Sequence, residues 1–240
     1  MALRILPFRQ YSDHDVVNLY ALANASVNTA TTDSGAGDAG VFVKISDGNF
    51  DNDPITYQTN AYLGETASYP FLGTTEMYPE VNLKVTPATS GDVPLGMTLY
   101  QTAKNDENGE KLLYNPVKKD ELQAVLSGQA VPLATRGIFT LTSDAIDNAG
   151  GNIATHPTPG QACIISPETA GKVSGIAFTT LYGPTLTSTT GHAHVAGGGT
   201  VVKYTADHVI GTWIGTGTRR TVGPITDVAA GTYGVLKLNL

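Results

Sequence analysis

Short apolar segments with period-two alternation, separated by clusters of Gly, Asn, Thr and Pro, restrict the fold of this chain more than any other feature. Val81, Leu83 and Val85 alternate with polar residues before Pro87 interrupts the pattern. Alternation at this period is typical of a strand with one buried face. Many short strands with turn residues between them indicate a β-sandwich or a small barrel. The sequence therefore predicts an all-β fold, a β-barrel or sandwich.

The same pattern recurs along most of the chain. We expect strands at 15–22, 40–45, 81–86, 96–100, within 129–141, and at 161–166, 172–180, 199–204, 208–215 and 232–239. The last of these crowds large apolar side chains into the end of the chain, and leaving them exposed would forfeit burial free energy. We therefore expect 232–239 to be an integral strand of the core.

One segment has a helical pattern. Pro116 can start a helix, and Leu122, Val125 and Leu126 follow the i, i+3, i+4 spacing of one helical face before Gly128. The sequence therefore predicts one short helix of about three turns.

The first third of the chain is less regular than the rest. Residues 1–14 mix apolar and basic side chains around Pro7, which predicts an extended arm, and 23–40 is rich in Asn, Thr, Ser and Gly. We therefore divide the chain into 1–80, an N-terminal arm with an irregular β region, and 81–240, a β-barrel or sandwich domain. The expected role of 1–80 is docking onto a partner or bridging of subunits.

Aromatic residues are spaced through this N-terminal region. The candidate contact residues are Phe8, Tyr11, Phe50, Tyr57, Tyr62, Tyr69 and Phe71. In a structured surface loop, such side chains can dock onto a partner. The alternative is that they cover the edge of the chain's own core.

Charge and composition exclude several classes of protein. The formal net charge is −7, which argues against nucleic acid as a partner because phosphate binding needs a basic surface. No run of about 20 apolar residues is present, so we expect no membrane span. The N-terminal residues 1–15 lack the apolar core of a secretion signal.

Cysteine usage points to a reducing compartment. Cys163 is the single cysteine, so an intrachain disulfide cannot form. Its apolar neighbours predict a buried strand thiol. We expect the protein to mature in a reducing cytoplasm.

Motifs for chemistry are incomplete. The segment 166–173 approaches a P-loop, but it has Ser166 where the first Gly is needed and Val173 where a Ser or Thr must bind Mg²⁺. His192 and His194 could share a strand face but lack a nearby third metal ligand. The acidic turn 47–54 lacks the order of a calcium loop. We expect no catalytic residues, no cofactor and no metal, and the chain is predicted not to be an enzyme.

Several segments together resemble the decoration or cement proteins of tailed-phage heads, above all those of cyanophages. The likeness is carried by 129–141 (QAVPLATRGIFTL), by 209–213 (VIGTW) and by the ending 230–240 (AGTYGVLKLNL). It covers roughly 120–240 as a pattern of strands. Residues 1–80 are additional to the part that resembles the small single-barrel cement proteins.

The resemblance implies a function and a partner. It implies attachment to the major capsid protein on the outer surface of the virion, as a homo-oligomer such as a trimer, after synthesis in the host cytoplasm. The expected function is to stabilise the capsid lattice. Three alternatives stay open: a tail-tube or neck protein, a glycan- or receptor-binding β module, and a hydrolase on a β scaffold.

Overall fold

A computed structural model of the chain describes residues 4–23, 37–48, 81, 83–106, 108–147, 157–166, 169–176, 193–195, 201–203, 208–218 and 232–240. The structure is mostly β-sheet, so the all-β prediction is confirmed. Across these residues the sheets are mainly antiparallel and consistent with a sandwich, and their strands do not close a barrel.

The strands are short and follow one another closely along the chain. In chain order they are β1 (Ile5–Gln10), β2 (Val16–Val17), β3 (Ala21–Leu22), β4 (Phe42–Asp47), β5 (Lys84–Pro87), β6 (Gly96–Thr98), β7 (Gln101–Ala103), β8 (Ala124–Leu126), β9 (Leu133–Ala134), β10 (Arg136–Thr142), β11 (Ala162–Ile165), β12 (Val173–Ile176), β13 (Ala193–Val195), β14 (Val201–Lys203), β15 (Gly211–Thr218) and β16 (Thr232–Asn239). The described helical elements are α1 (Pro116–Glu121) and 3-10 turns at Asp13–Asp15, Leu112–Tyr114 and Ser143–Ala145.

The chain forms two compact units that are interleaved in sequence. The first unit comprises Val16–Pro87 and Leu95–Ala134, and the second comprises Leu3–Asp15, Ala88–Pro94 and Thr135–Leu240. This division differs from the predicted boundary at residue 80, because strand pairing joins residues from both sides of that boundary. Each unit contains one six-stranded sheet.

The first unit is built on the sheet β2-β9-β6-β4-β5-β3. Most of its pairs are antiparallel, but β3 runs parallel to β5. The core residues of this unit are Tyr20, Ala21, Leu22, Val41, Val43, Val81, Leu83, Val85, Val131 and Leu133. Burying these β-branched and aliphatic side chains is the main stabilising term of the unit.

The predicted helix begins where expected but is shorter. Asn115 caps it, since its Oδ1 accepts a hydrogen bond from the Lys118 amide at 3.2 Å, and Pro116 occupies the first turn. The helix α1 ends at Glu121, and Gln123 has a positive φ of 47°. The predicted extension over Val125 and Leu126 is therefore wrong.

The segment after α1 is the strand β8, which runs parallel to β7. Ala124 and Leu126 pack with Ala103 and Leu112, whereas Val125 packs against the main core of the first unit. Val125 and Leu126, which resembled part of a helical face, thus lie on the two faces of a strand that is covered on both sides, whereas Leu122 caps the end of α1.

The second unit is built on the sheet β1-β10-β16-β15-β11-β12. Leu236 of the central strand β16 lies between Phe139 of β10 and Trp213 of β15, and all three side chains are fully buried. The expectation that 232–239 is an integral core strand is confirmed by its position between these two long partners. The predicted N-terminal arm is extended, and its strand β1 is paired with β10.

Trp213 packs against backbone on the core face of this sheet. A Cβ atom built on Gly234 would lie 2.5 Å from Cζ3 of Trp213 and 3.2 Å from Cδ1 of Ile146. Both side chains are buried and cannot move aside freely. Gly234 therefore allows the indole ring to lie flat against β16.

We predict that Gly234→Ala lowers the free energy of unfolding by about 1–3 kcal/mol, because the added methyl group overpacks the Trp213 site. Gly215→Ala is the matched control, since its Cβ would lie 3.5 Å from Val235 Cγ2, an ordinary contact. Urea denaturation of both variants measures the difference. Equal stability of the two variants would contradict this account of Trp213 packing.

Candidate contact surface

Phe8 is directed into solvent by a bulge in the outer strand β1. Ile5 is paired with Leu141 and Arg9 with Phe139, so the residues between Ile5 and Arg9 lie opposite the single residue Thr140. The bulge breaks the normal alternation of side chains. As a result Ile5 is buried and Phe8 is 78% exposed.

Tyr11 has a different position from Phe8, although both were predicted as contact residues. Its ring stacks on Phe139 with the ring centroids 5.8 Å apart, and the Arg9 guanidinium carbon lies 5.9 Å from the Tyr11 centroid. Gly137 has a φ of 146°, and a Cβ there would lie 2.7 Å from the Gln10 carbonyl oxygen. The end of β1 is therefore held closely against β10, and Tyr11 anchors the strand that presents Phe8.

A row of uncharged side chains crosses the face of the sheet that lies opposite the core. Because Phe139 and Leu236 point into the core, their neighbours Thr140 and Val235, which are paired with each other, point to the opposite face. Val235 is also paired with Gly215 of β15. We call this side of β1, β10, β16 and β15 the outer face.

A second bulge completes the row. The pairing of β15 with β16 shifts between Trp213 and Gly215, which leaves Ile214 as the extra residue. Ile214 is 47% exposed despite its size. Phe8, Thr140, Val235 and Ile214 thus form what we call the outer row, with one residue from each of four neighbouring strands. Phe8 and Ile214 are exposed, Val235 is half-buried and Thr140 is 5% exposed.

The four described strands of the outer face carry cations and no carboxylate side chains. The strands β1, β10, β16 and β15 contain no Asp or Glu, although the chain as a whole has a formal net charge of −7. Arg136 and Lys237 are exposed on this face, four residues from Thr140 and two residues from Val235 along their respective strands. The outer face is therefore locally basic on an acidic protein.

The other predicted contact residues, Phe50, Tyr57, Tyr62, Tyr69 and Phe71, lie outside the described residues. Their proposed role stays a prediction. The sequence reading missed Val235 and Ile214 as surface residues, because a register shift leaves no mark in a pattern of alternating residues. The lack of carboxylates in the four strands was a signal that could have been found.

Two side chains of the P-loop-like segment, Ser166 and Lys172, contact Asp147. Asp147 Oδ2 accepts a hydrogen bond from Ser166 Oγ at 2.8 Å, and Asp147 Oδ1 lies 3.4 Å from Lys172 Nζ. The Asp147 carbonyl accepts a further hydrogen bond from Ser174 Oγ at 2.6 Å. Ser166 is 1% exposed, so its hydroxyl is withheld from solvent. These contacts connect Asp147, which follows the 3-10 turn Ser143–Ala145, to the ends of β11 and β12. The cluster therefore stabilises the fold.

The candidate metal motifs are only partly described. His194 belongs to β13, whereas His192 and His156 lie outside the described residues, as does most of the acidic turn 47–54. Within the part of the chain that the structure describes, no group of three His, Cys, Asp or Glu side chains is placed to hold a metal ion.

Cys163 is a buried strand thiol, as its sequence context predicts. It lies in β11, is fully buried, and is paired with Gly175 and Gly211. Burial raises the pKa of the Cys163 thiol well above its ordinary value, because the thiolate would lose its hydration. The thiol is therefore held in its unreactive form.

No family model, no curated protein and no solved structure matches this chain. None of the described helices is long and apolar enough to cross a membrane.

We predict that Asp147→Ala lowers the free energy of unfolding by about 1.5–3 kcal/mol, because it removes the charged acceptor of the Ser166 hydroxyl and the partner of Lys172. The control is Glu121→Ala, whose carboxylate lies 3.6 Å from Lys118 Nζ at an exposed site. That variant should change stability by about 0.5 kcal/mol or less. Similar losses in both variants would show that the Asp147 cluster adds nothing beyond a surface ion pair.

We predict that Cys163 does not react with Ellman's reagent in the native protein at pH 8 and reacts fully in denaturant, with Cys163→Ala as the blank. The pKa of the Cys163 thiol is higher in the folded than in the unfolded protein, so the protonated thiol favours the folded state. This contribution to the free energy of unfolding is complete below the pKa of the unfolded thiol and is lost as the pH rises toward the pKa of the folded one. The stability of wild type relative to Cys163→Ala should therefore fall from pH 7 to pH 10. Rapid labelling of the native protein would contradict the buried position.

Proposed function

We propose that this chain is a structural virion protein that binds the outer surface of a tailed-phage head and stabilises the capsid lattice, as a decoration or cement protein. The observation that carries the proposal is Phe8, a large aromatic side chain that a bulge on an anchored strand holds 78% exposed. A single exposed apolar residue is common, but the outer row holds a second exposed apolar side chain, Ile214, at its other end.

The segments that resemble decoration proteins support the proposal by their positions. Of these segments, residues 136–141, 211–213 and 232–239 lie in β10, β15 and β16, which are neighbours in one sheet, whereas 129–135 includes β9 of the first unit. The larger part of the resemblance therefore falls on adjacent strands of one sheet.

The described polar clusters also favour a structural role over a catalytic one. A nucleophile must reach its substrate, but the Ser166 hydroxyl is buried and hydrogen-bonded to Asp147. A rigid sheet with an adhesive face is sufficient for a protein that links subunits of a shell.

The proposal includes the partner and the location. The partner is the major capsid protein, and the assembled form is a homo-oligomer, such as a trimer, on the virion surface. Many weak contacts between a lattice and an oligomer add through avidity. The acidic net charge of −7 also suits a surface protein that should not collect nucleic acid.

We predict that the wild-type protein sediments with expanded, DNA-free heads of a phage that encodes it, and that Phe8→Ser binds about tenfold to a hundredfold more weakly. The expected loss corresponds to burial of one aromatic side chain, about 1.5–3 kcal/mol. Co-sedimentation over a range of protein concentrations measures the change.

The matched control is Val117→Ser, which removes an apolar side chain that is 76% exposed on α1 of the first unit. It should bind as wild type does. A wild-type protein that stays in solution with expanded heads, or that forms rings without them, would contradict the decoration function and favour a tail-tube or neck protein.

A further inference from the structure

The structure points to the outer face as the surface that meets the shell, and we propose that it docks onto an apolar patch with an acidic rim on the capsid protein. This inference rests on the proposed function and extends it by naming the docking face and the chemistry of the partner. It is carried by the outer row together with the charges around it.

The apolar part of the partner follows from the outer row. Phe8 and Ile214 lie at opposite ends of the row, and the buried Thr140 and the half-buried Val235 lie between them. Both end residues are exposed because bulges direct them outward. A partner surface that covers this row must therefore supply apolar contacts at two places, one near β1 and one near β15.

The acidic rim of the partner follows from charge complementarity. Arg136 and Lys237 are exposed on the outer face, and the four strands that form it contain no Asp or Glu. Complementary charge at the rim of an interface accelerates association and excludes wrong partners. The two cations that the described strands place around the row are too few for a phosphate backbone, so we assign a protein surface as the partner.

The face, and not the edge, of the sheet is the docking surface. Addition of a strand at the β1 edge would need a regular row of free backbone groups. Pro7 has no amide hydrogen, and the bulge between Ile5 and Arg9 disrupts the spacing of the strand. Both features are known to block strand addition at sheet edges.

The test compares two pairs of charge reversals that change the net charge equally. Arg136→Glu with Lys237→Glu alters the outer face, whereas Lys104→Glu with Lys119→Glu alters the first unit. Binding to immobilised DNA-free heads is followed by biolayer interferometry in 50 mM and 500 mM NaCl. Circular dichroism and melting curves check folding, and Arg136→Gln with Lys237→Gln repeats the test with a milder change.

We expect the outer-face pair to lower the association rate constant about tenfold in 50 mM NaCl, with a much smaller effect in 500 mM NaCl. The control pair should stay within about twofold of wild type. Ile214→Ser should instead raise the dissociation rate constant, because it removes an apolar contact and leaves the charges unchanged.

The possible negative results distinguish failure of the docking-face assignment from failure of the decoration function. Wild-type binding with equal effects of the two charge-reversed pairs would overturn the assignment of the outer face and leave the decoration function standing. An outer-face pair that lowers self-association in sedimentation velocity without changing binding to heads would assign this face to a second copy of the chain and overturn the inference. Absence of wild-type binding would overturn both proposals.

Discussion

The pairing of β16 between β10 and β15 is the interaction on which the second unit depends. Its register places Leu236 and Leu238 in the core and Val235 and Lys237 on the outer face. A slip by one residue would exchange the two sets, so the register is strongly specified by burial. The contact of Trp213 with the backbone at Gly234 adds a second restraint, because a side chain at that position would be excluded.

The two bulges, together with this fixed register, determine which side chains are exposed on the outer face. In a regular strand, the residues beside core positions point to the opposite face and each lies across from a residue of the neighbouring strand. The shifts at β1 and β15 instead leave Phe8 and Ile214 outside while Tyr11 and Trp213 stay packed on the core side. The exposed side chains are thus held by a rigid base, so that little conformational entropy is lost when a partner covers them.

Much of the sheet could be predicted from the sequence, but the surface could not. The strand at 232–239 was found with its exact bounds, since alternation and a crowded apolar ending identify it without further information. The helix after Pro116 was extended too far, because Leu122, Val125 and Leu126 fit both a helical face and a strand covered on two sides. The bulges depend on which strands become partners, and that is decided by contacts between residues far apart in the chain.

The absence of carboxylates from the outer face has a partly local origin. Asp is disfavoured in strands and favoured in turns, and here Asp92 Oδ2 accepts a hydrogen bond from the Thr89 amide while Asp106 Oδ1 accepts one from the Glu110 amide. The first unit nevertheless has Asp47 within β4, so a strand of this protein can carry an acid. What distinguishes the outer face is that its described strands combine missing acids, two exposed cations and two exposed apolar side chains, Phe8 and Ile214. Turn chemistry accounts for the first of these features alone, whereas the proposed complementary partner surface would account for all three.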